Sequence, residues 1–205
     1  MPILVIDTAT AACSAALIDG GRALARRHEE VGRGHAERLV PMIAELPDGG
    51  RAARVLVDCG PGSFTGVRVG LAAARGLGLG WDVPVRGYSS LALLAARFFA
   101  ARADASRVAA VLEGGHGEVF VQAFTRELRP MGDLLNLKPE AALALLDGAP
   151  AVGSGVARLL PLDPGLDATD LLPDAAEARR LPPALAGLDP RPLYGRAPDA
   201  KVKGA

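Results

Sequence analysis

The residues best placed to do chemistry lie in two short stretches, Asp7-Thr8-Ala9-Thr10 and Gly60-Pro61-Gly62-Ser63-Phe64-Thr65-Gly66-Val67-Arg68-Val69-Gly70. The second follows the apolar run Val55-Leu56-Val57 and opens an alanine-rich helical pattern that lasts to about Gly80. A strand, a glycine turn and a helix start gather free backbone N–H groups at one point. The helix adds the positive end of its dipole, so the arrangement suits a phosphate. The spacing is neither GxxxxGK[ST] nor GxGxxG; taken alone, it reads as a tight strand-to-helix connection before it reads as a ligand site. Ser63 sits where a nucleophile would, but Gly62-Ser63-Phe64-Thr65-Gly66 lacks GxSxG spacing and no histidine–acid pair can be assigned to it. Ser63 is therefore read as a helix cap. The three histidines, His28, His35 and His116, form no HxxxH pair and have no cysteine or carboxylate cluster nearby, so no metal site is expected. His35 is placed at a helix start, hydrogen-bonded by its neighbours, and His116 in a solvated glycine turn. Asp7 could orient a hydrated metal, but a strand-end aspartate capping its own turn accounts for it equally well.

These residues belong to a chain of 205, long enough for one large domain or two small ones. Half of it is apolar, which predicts a folded core. The formal net charge is zero, which disfavours a module that grips nucleic acid unaided. Cys13 and Cys59 stand in apolar surroundings with no CxxC pairing and read as buried small hydrophobes in a reducing compartment. The opening run Ile3-Leu4-Val5-Ile6 has no basic stretch before it, so no leader is expected, and no apolar run approaches membrane-spanning length. A cytoplasmic protein with no membrane contact is the expectation.

The elements that must hold the chemistry follow from periodicity. Ile3 to Ile6, Ala12 to Ile18 and Arg22 to Arg27 read as a three-strand meander, with Asp19-Gly20-Gly21 as a hairpin turn. A helix from Ala36 to Glu45 carries Leu39, Val40 and Ile43 on one face, with Pro41 inside it predicting a kink or late start. The strand Arg54 to Asp58 leads through the glycine turn to a helix from about Ser63 to Leu79. There Gly66, Gly70, Ala74 and Gly78 recur every fourth residue. Glycine costs about 1 kcal/mol in a helix interior, so this bare stripe needs close approach of another element. Internal packing and a second chain are both open at this point. Val83 to Tyr88, with Pro84 near its start, reads as an edge or late strand, and Ser89 or Ser90 can cap the helix that follows. A composition shift at Arg102 to Arg107 suggests a boundary. Beyond it come strands at Val108 to Leu112, Val119 to Phe124, Leu134 to Leu137 and Ala151 to Val152. A helix starts at Lys138-Pro139-Glu140, a turn at Gly153-Ser154-Gly155, and from Pro161 a loop-rich tail holds one short helix near Ala175 to Arg180. The order predicts an α/β fold with mixed sheets, repeated in a reduced second half.

Asp7-Thr8, His35-Ala36-Glu37-Arg38-Leu39, the GPGSFTGVRVG segment and Gly87-Tyr88-Ser89-Ser90-Leu91 together resemble, in order and spacing, the TsaB (YeaZ) family of bacterial tRNA threonylcarbamoyladenosine synthesis. Pro192-Leu193-Tyr194-Gly195-Arg196-Ala197-Pro198-Asp199-Ala200-Lys201 resembles that family's C-terminal signature. The resemblance is dense from Ile3 to about Ala96 and thin from Ala100 to Pro190. It implies two actin-like ATPase lobes of the sugar-kinase and heat-shock-ATPase type, here divided as 1–103 and 104–205. It also implies a mainly non-catalytic role, with no catalytic residue of its own. The partners implied are a sister TsaD subunit that holds the metal and performs the transfer, and a small ATPase, TsaE. The chain is expected to form a homodimer when alone and to meet tRNA only through the complex.

On this resemblance the helices after the second and fourth conserved blocks pack against the partner. That casts His35, Leu39, Val40, Ile43, Gly66, Gly70, Leu71, Ala74 and Leu77 as interface residues and shifts the bare stripe toward a subunit contact. No cofactor is required; a weak ATP or ADP site with Mg would draw on Asp7, Thr8, Gly60, Gly62, Ser63, Thr65, Gly153 and Gly155. In Asp7-Thr8-Ala9-Thr10 an alanine stands where an active ATPase would use glycine. Where the family has Asp-Ala-Arg before a Gly-Glu pair, this chain has Glu113-Gly114-Gly115-His116-Gly117-Glu118, without the arginine. The segment between Glu45 and Arg54 is also short. The competing readings are an autonomous ATP-dependent small-molecule kinase of the same fold and a general interaction protein that uses no nucleotide.

Overall fold

In a computed structural model of the chain, which describes residues 1–193, the opening apolar run becomes strand β1 (Ile3–Asp7). It lies at the centre of a five-stranded sheet. β2 (Ala12–Asp19) and β3 (Arg22–Glu30) complete the antiparallel meander; β4 (Arg54–Asp58) and β5 (Val85–Tyr88) add in parallel on the other side, giving the order β3-β2-β1-β4-β5. β5 is an edge strand, as its entry proline requires. The inner strands are apolar on both faces because both are covered. Helices α1 (His35–Ala44) and α2 (Phe64–Trp81) pack on the face carrying Leu4, Ile6, Val55 and Val57. Helix α3 (Ser90–Ala101) and a 3-10 turn at Ala175–Arg180 pack on the face carrying Val5, Leu56 and Tyr88.

The second lobe repeats the plan. Strands β6 (Arg107–Glu113), β7 (Val119–Thr125) and β8 (Leu135–Leu137) form a meander; β9 (Ala151–Val152) and β10 (Ala168–Thr169) join in parallel, so the order β8-β7-β6-β9-β10 matches the first sheet. α4 (Pro139–Leu146) and α5 (Val156–Leu159) cover one face, and α3 lies against the other, so one helix serves both cores. The α/β fold of two related lobes with mixed sheets, the second reduced, is therefore the architecture the chain adopts. β10 and α5 were not foreseen, being too short to show periodicity.

Two expectations need correction. The bare stripe on α2 faces inward: a Cβ at Gly66 would collide with the Thr8 carbonyl, one at Gly70 with the Thr8 hydroxyl, and one at Gly78 with Val85. Ala74 and Leu71 are buried beside them, so the stripe serves close helix-on-sheet packing within its own lobe. The second correction concerns the tail. Residues 174 to 193 do not stay with the second lobe but run back over the first. Ala175 N–H donates to Ser14 Oγ at 3.0 Å, Gly87 and Leu188 exchange backbone hydrogen bonds, and Leu193 N–H donates to the Cys59 carbonyl at 2.7 Å. The signature stretch from Tyr194 to Lys201 lies outside the described residues.

Candidate functional site

The two turns singled out from the sequence meet, and their backbone groups satisfy each other. Ser63 N–H donates to the Ala9 carbonyl at 2.7 Å, and the Thr8 hydroxyl donates to the Gly66 carbonyl at 2.8 Å. Ser63 Oγ accepts from Gly66 N–H at 3.3 Å, so Ser63 is the α2 cap that the sequence predicts. A Cβ at Gly62 would strike the Ala9 carbonyl, which explains glycine there by backbone crowding alone. The α2 N-terminus thus spends part of its donor capacity on the β1–β2 turn. The second glycine turn behaves alike: Gly155 N–H donates to Val111 O and Gly153 N–H to Thr169 O, both at 3.0 Å.

Asp7 does not reach solvent. It ends β1 beside Asp58, which ends the adjacent strand β4, and both are buried. Tyr88 Oη donates to Asp7 Oδ2 at 2.8 Å. Asp58 Oδ1 accepts from Gly60 N–H at 2.8 Å, and Ser90 Oγ lies 2.7 Å from Asp58 Oδ2. Burial pushes the Asp7 carboxyl up to about 6, against the lowering effect of its hydrogen bonds from Tyr88 and Asp58. Burial, and then the charge of Asp7, pushes Asp58 well above the ordinary carboxylate range. Burial of two carboxyls side by side thus favours the protonated form of the pair. Sequence reasoning missed Asp58, although an aspartate ending each of two neighbouring apolar runs was the available signal. Ser90, read as a cap candidate, belongs to this network instead.

Between the lobes lies a cleft of about 640 Å³, lined by Gly62, Ser63 and Phe64 from the first lobe and by Glu113, Glu118 and Ser154 from the second. Of the eight nucleotide candidates, only Gly62 and Ser63 line it; Asp7, Thr8, Gly60, Thr65, Gly153 and Gly155 do not. Glu113 is ion-paired with Arg158 at 2.8 Å, and Asn136 Nδ2 donates to Glu118 Oε2 at 2.6 Å. His116 sits exposed in its turn with φ of 58°. Arg68 lines it as well, so the cleft presents charges of both signs. Among the described residues, no group of three or more His, Cys, Asp or Glu side chains is arranged to hold a metal.

The interface candidates divide by exposure. His35, Leu39, Ile43, Gly66, Gly70, Leu71 and Ala74 are buried in their own lobe, His35 with Nε2 3.2 Å from the Ala12 carbonyl at the start of α1. Val40 is 61% exposed and Leu77 is partly exposed, so only these two reach the surface. The face turned outward instead carries Ala36, Val40 and Ala44 on α1 and Ala72, Gly76 and Leu79 on α2. Leu79 is 87% exposed, and a Cβ at Gly76 would meet open space. The sequence located the helices and misassigned their faces. No helix among the described residues is long and apolar enough to cross a membrane.

A family profile described as TsaD, tRNA N6-adenosine threonylcarbamoyltransferase, matches residues 28–145. The chain is 37% identical over 132 residues to the tRNA threonylcarbamoyladenosine biosynthesis protein TsaB of Escherichia coli, a match covering 62% of this chain and 56% of that one. The chain thus spans little more than half the length of that curated relative. An uncharacterized protein of Mycobacterium tuberculosis is 32% identical over 218 residues, covering 97% of this chain and 93% of its own. A solved structure, YeaZ from Pseudomonas aeruginosa, superposes with a TM-score of 0.79 at 33% identity, over 94% of this chain and 99% of that one.

Proposed function

Because this chain belongs to the TsaB (YeaZ) family, we propose that it is the non-catalytic scaffold and activating subunit of a tRNA threonylcarbamoyladenosine-forming system. Its partners in this reading are a TsaD-type catalytic subunit and a TsaE-type ATPase, in the cytoplasm, with tRNA met only through the complex. The observation that carries the reading is the 37% identity to a protein named for that biosynthesis. The chemistry of the buried carboxyls and turns agrees. The carboxylates an ATPase would aim at a metal are buried and hydrogen-bonded, and the glycine turns bond to backbone rather than opening toward phosphate. An autonomous kinase needs those groups free.

The docking surface is the outer face of α1 and α2, where Val40 and Leu79 are exposed and Gly76 and Ala72 let a neighbouring helix approach. Without the partner, two copies cover that face with each other. The test is a Val40→Asp/Leu79→Asp double variant, co-expressed with TsaD- and TsaE-type subunits in cells depleted of the native protein. The expected result is an unchanged melting temperature, at least a tenfold loss of partner affinity, and failure to restore threonylcarbamoyladenosine in tRNA. Partner binding equal to the parent's would remove this face from consideration. Unaltered modification on depletion would remove the function.

A further inference from the structure

A second recess, of about 310 Å³, lies on the opposite face of the first sheet, near the start of β4. Its walls are apolar, with Ile3, Val5, Leu181 and Pro183 among them, yet three arginines open into it, Arg54, Arg86 and Arg179, and no carboxylate lines it. The fold puts them there for separate reasons. Arg54 opens β4 opposite Ile3 of β1, and Arg86 stands opposite Leu56 on β5, so strand alternation sends both to the same face. Arg179 comes from the returning 3-10 turn and is held in place by Glu177, its Nη2 donating to Oε1 at 2.9 Å and its Nε to the Ala176 carbonyl at 3.2 Å.

The charges are not balanced from within. Arg54 Nε is buried with no hydrogen-bond partner, and the side-chain bond recorded for Arg86 is a 3.3 Å contact with the carbonyl of its own neighbour, Val85. Among the described residues no carboxylate pairs with Arg54 or Arg86. Glu177, which holds Arg179, is also bonded to Arg180. A buried guanidinium nitrogen is costly unless an acceptor satisfies it. The planar forks of arginine match carboxylate and phosphate oxygens two at a time.

We propose that this recess binds a small organic oxyanion, with its phosphate or carboxylate on Arg54, Arg86 and Arg179 and an apolar group against Ile3 and Pro183. The volume is at the small end for ligand pockets, and the charged groups are recessed among apolar ones. Extended RNA instead needs an open basic groove with stacking platforms. The site is separate from the interlobe cleft and from the outer face of α1 and α2.

Calorimetry on the full chain with inorganic phosphate, phenyl phosphate and benzoate tests it. Phenyl phosphate or benzoate should bind at least tenfold more tightly than inorganic phosphate, and whichever of the two is tighter identifies the head group. Arg54→Gln should cut that affinity at least tenfold, and Arg86→Gln, at an exposed position where folding is not at risk, should cut it severalfold. Arg129→Gln, which removes the same charge on the other lobe, should leave it unchanged. No binding of either organic anion at millimolar concentration overturns the site, as does an equal loss in Arg129→Gln. Binding of a short RNA that depends on Arg54 while both organic anions fail also overturns it.

Discussion

Asp7 and Asp58 are buried side by side, with Tyr88 Oη donating to Asp7, and this has a measurable cost. A carboxyl whose folded-state value is raised, to about 6 for Asp7 from an ordinary 3.8, holds its proton more tightly in the folded chain. Its contribution to stability is full below the unfolded value and is lost as pH rises through the folded one. Between pH 5 and pH 8 the pair should therefore remove on the order of 1–3 kcal/mol. Asp58→Asn keeps a donor for Asp7 and removes one of the two negative charges that would be forced together at high pH. Urea titrations at the two pH values should show a clear fall in stability for the parent and a much smaller one for the variant. Equal falls would mean that the two carboxyls do not interact. Asp7 and Asp58 were each legible from sequence as strand-end residues; their adjacency was not, because only the parallel pairing of β1 and β4 brings the two ends together.

At the scale of the element, α2 is two-faced in an unusual way: its glycines serve opposite purposes. Gly70 fits against the Thr8 hydroxyl, whereas Gly76 faces open space. The same substitution should thus have opposite signs. Gly70→Ala forces a methyl into packed atoms and should destabilise by about 1–3 kcal/mol. Gly76→Ala removes a helix-weakening residue without a clash and should stabilise by about 1 kcal/mol. Thermal unfolding of the two variants decides the matter, and a shift of the same sign in both would contradict the assignment of faces. Period-four glycine recurrence told correctly that something approaches α2 closely. It could not say that the neighbours are Thr8, just after β1, and Val85 of β5, because sequence spacing fixes a helical face but not what lies against it. Longer strands and helices were legible for the usual reason: their apolar periods are strong. The 2-residue strands β9 and β10 carry almost no periodic signal, although the notch at Ala151-Val152 was read.

For the whole molecule, the repeated strand order gives two lobes, and the returning tail fastens the second to the first. Asp174 is its anchor: buried, 2.7 Å from Arg26, and accepting Ala176 N–H at 3.0 Å. Asp174→Ala removes the acceptor and should cost about 1–3 kcal/mol. Hydrogen exchange should quicken at Ala175, Ala176 and Leu188, with β6 and β7 in the second lobe unaffected. Uniform acceleration throughout would indicate that the tail and both lobes open as one. The weak, proline-rich pattern after Pro161 read as loop, and mostly is. Its role was hidden because its contacts lie some 160 positions away, as between Ser14 and Ala175.

That distance has a consequence for synthesis. While the ribosome is still making the second lobe, the sheet face bearing Val5 and Leu56 lacks the 3-10 turn that finally covers part of it. The first lobe must wait, with oily surface uncovered, for this later stretch to emerge. Emergence of that turn, rather than completion of the first half, is then the moment at which that half becomes safe from sticking to its neighbours.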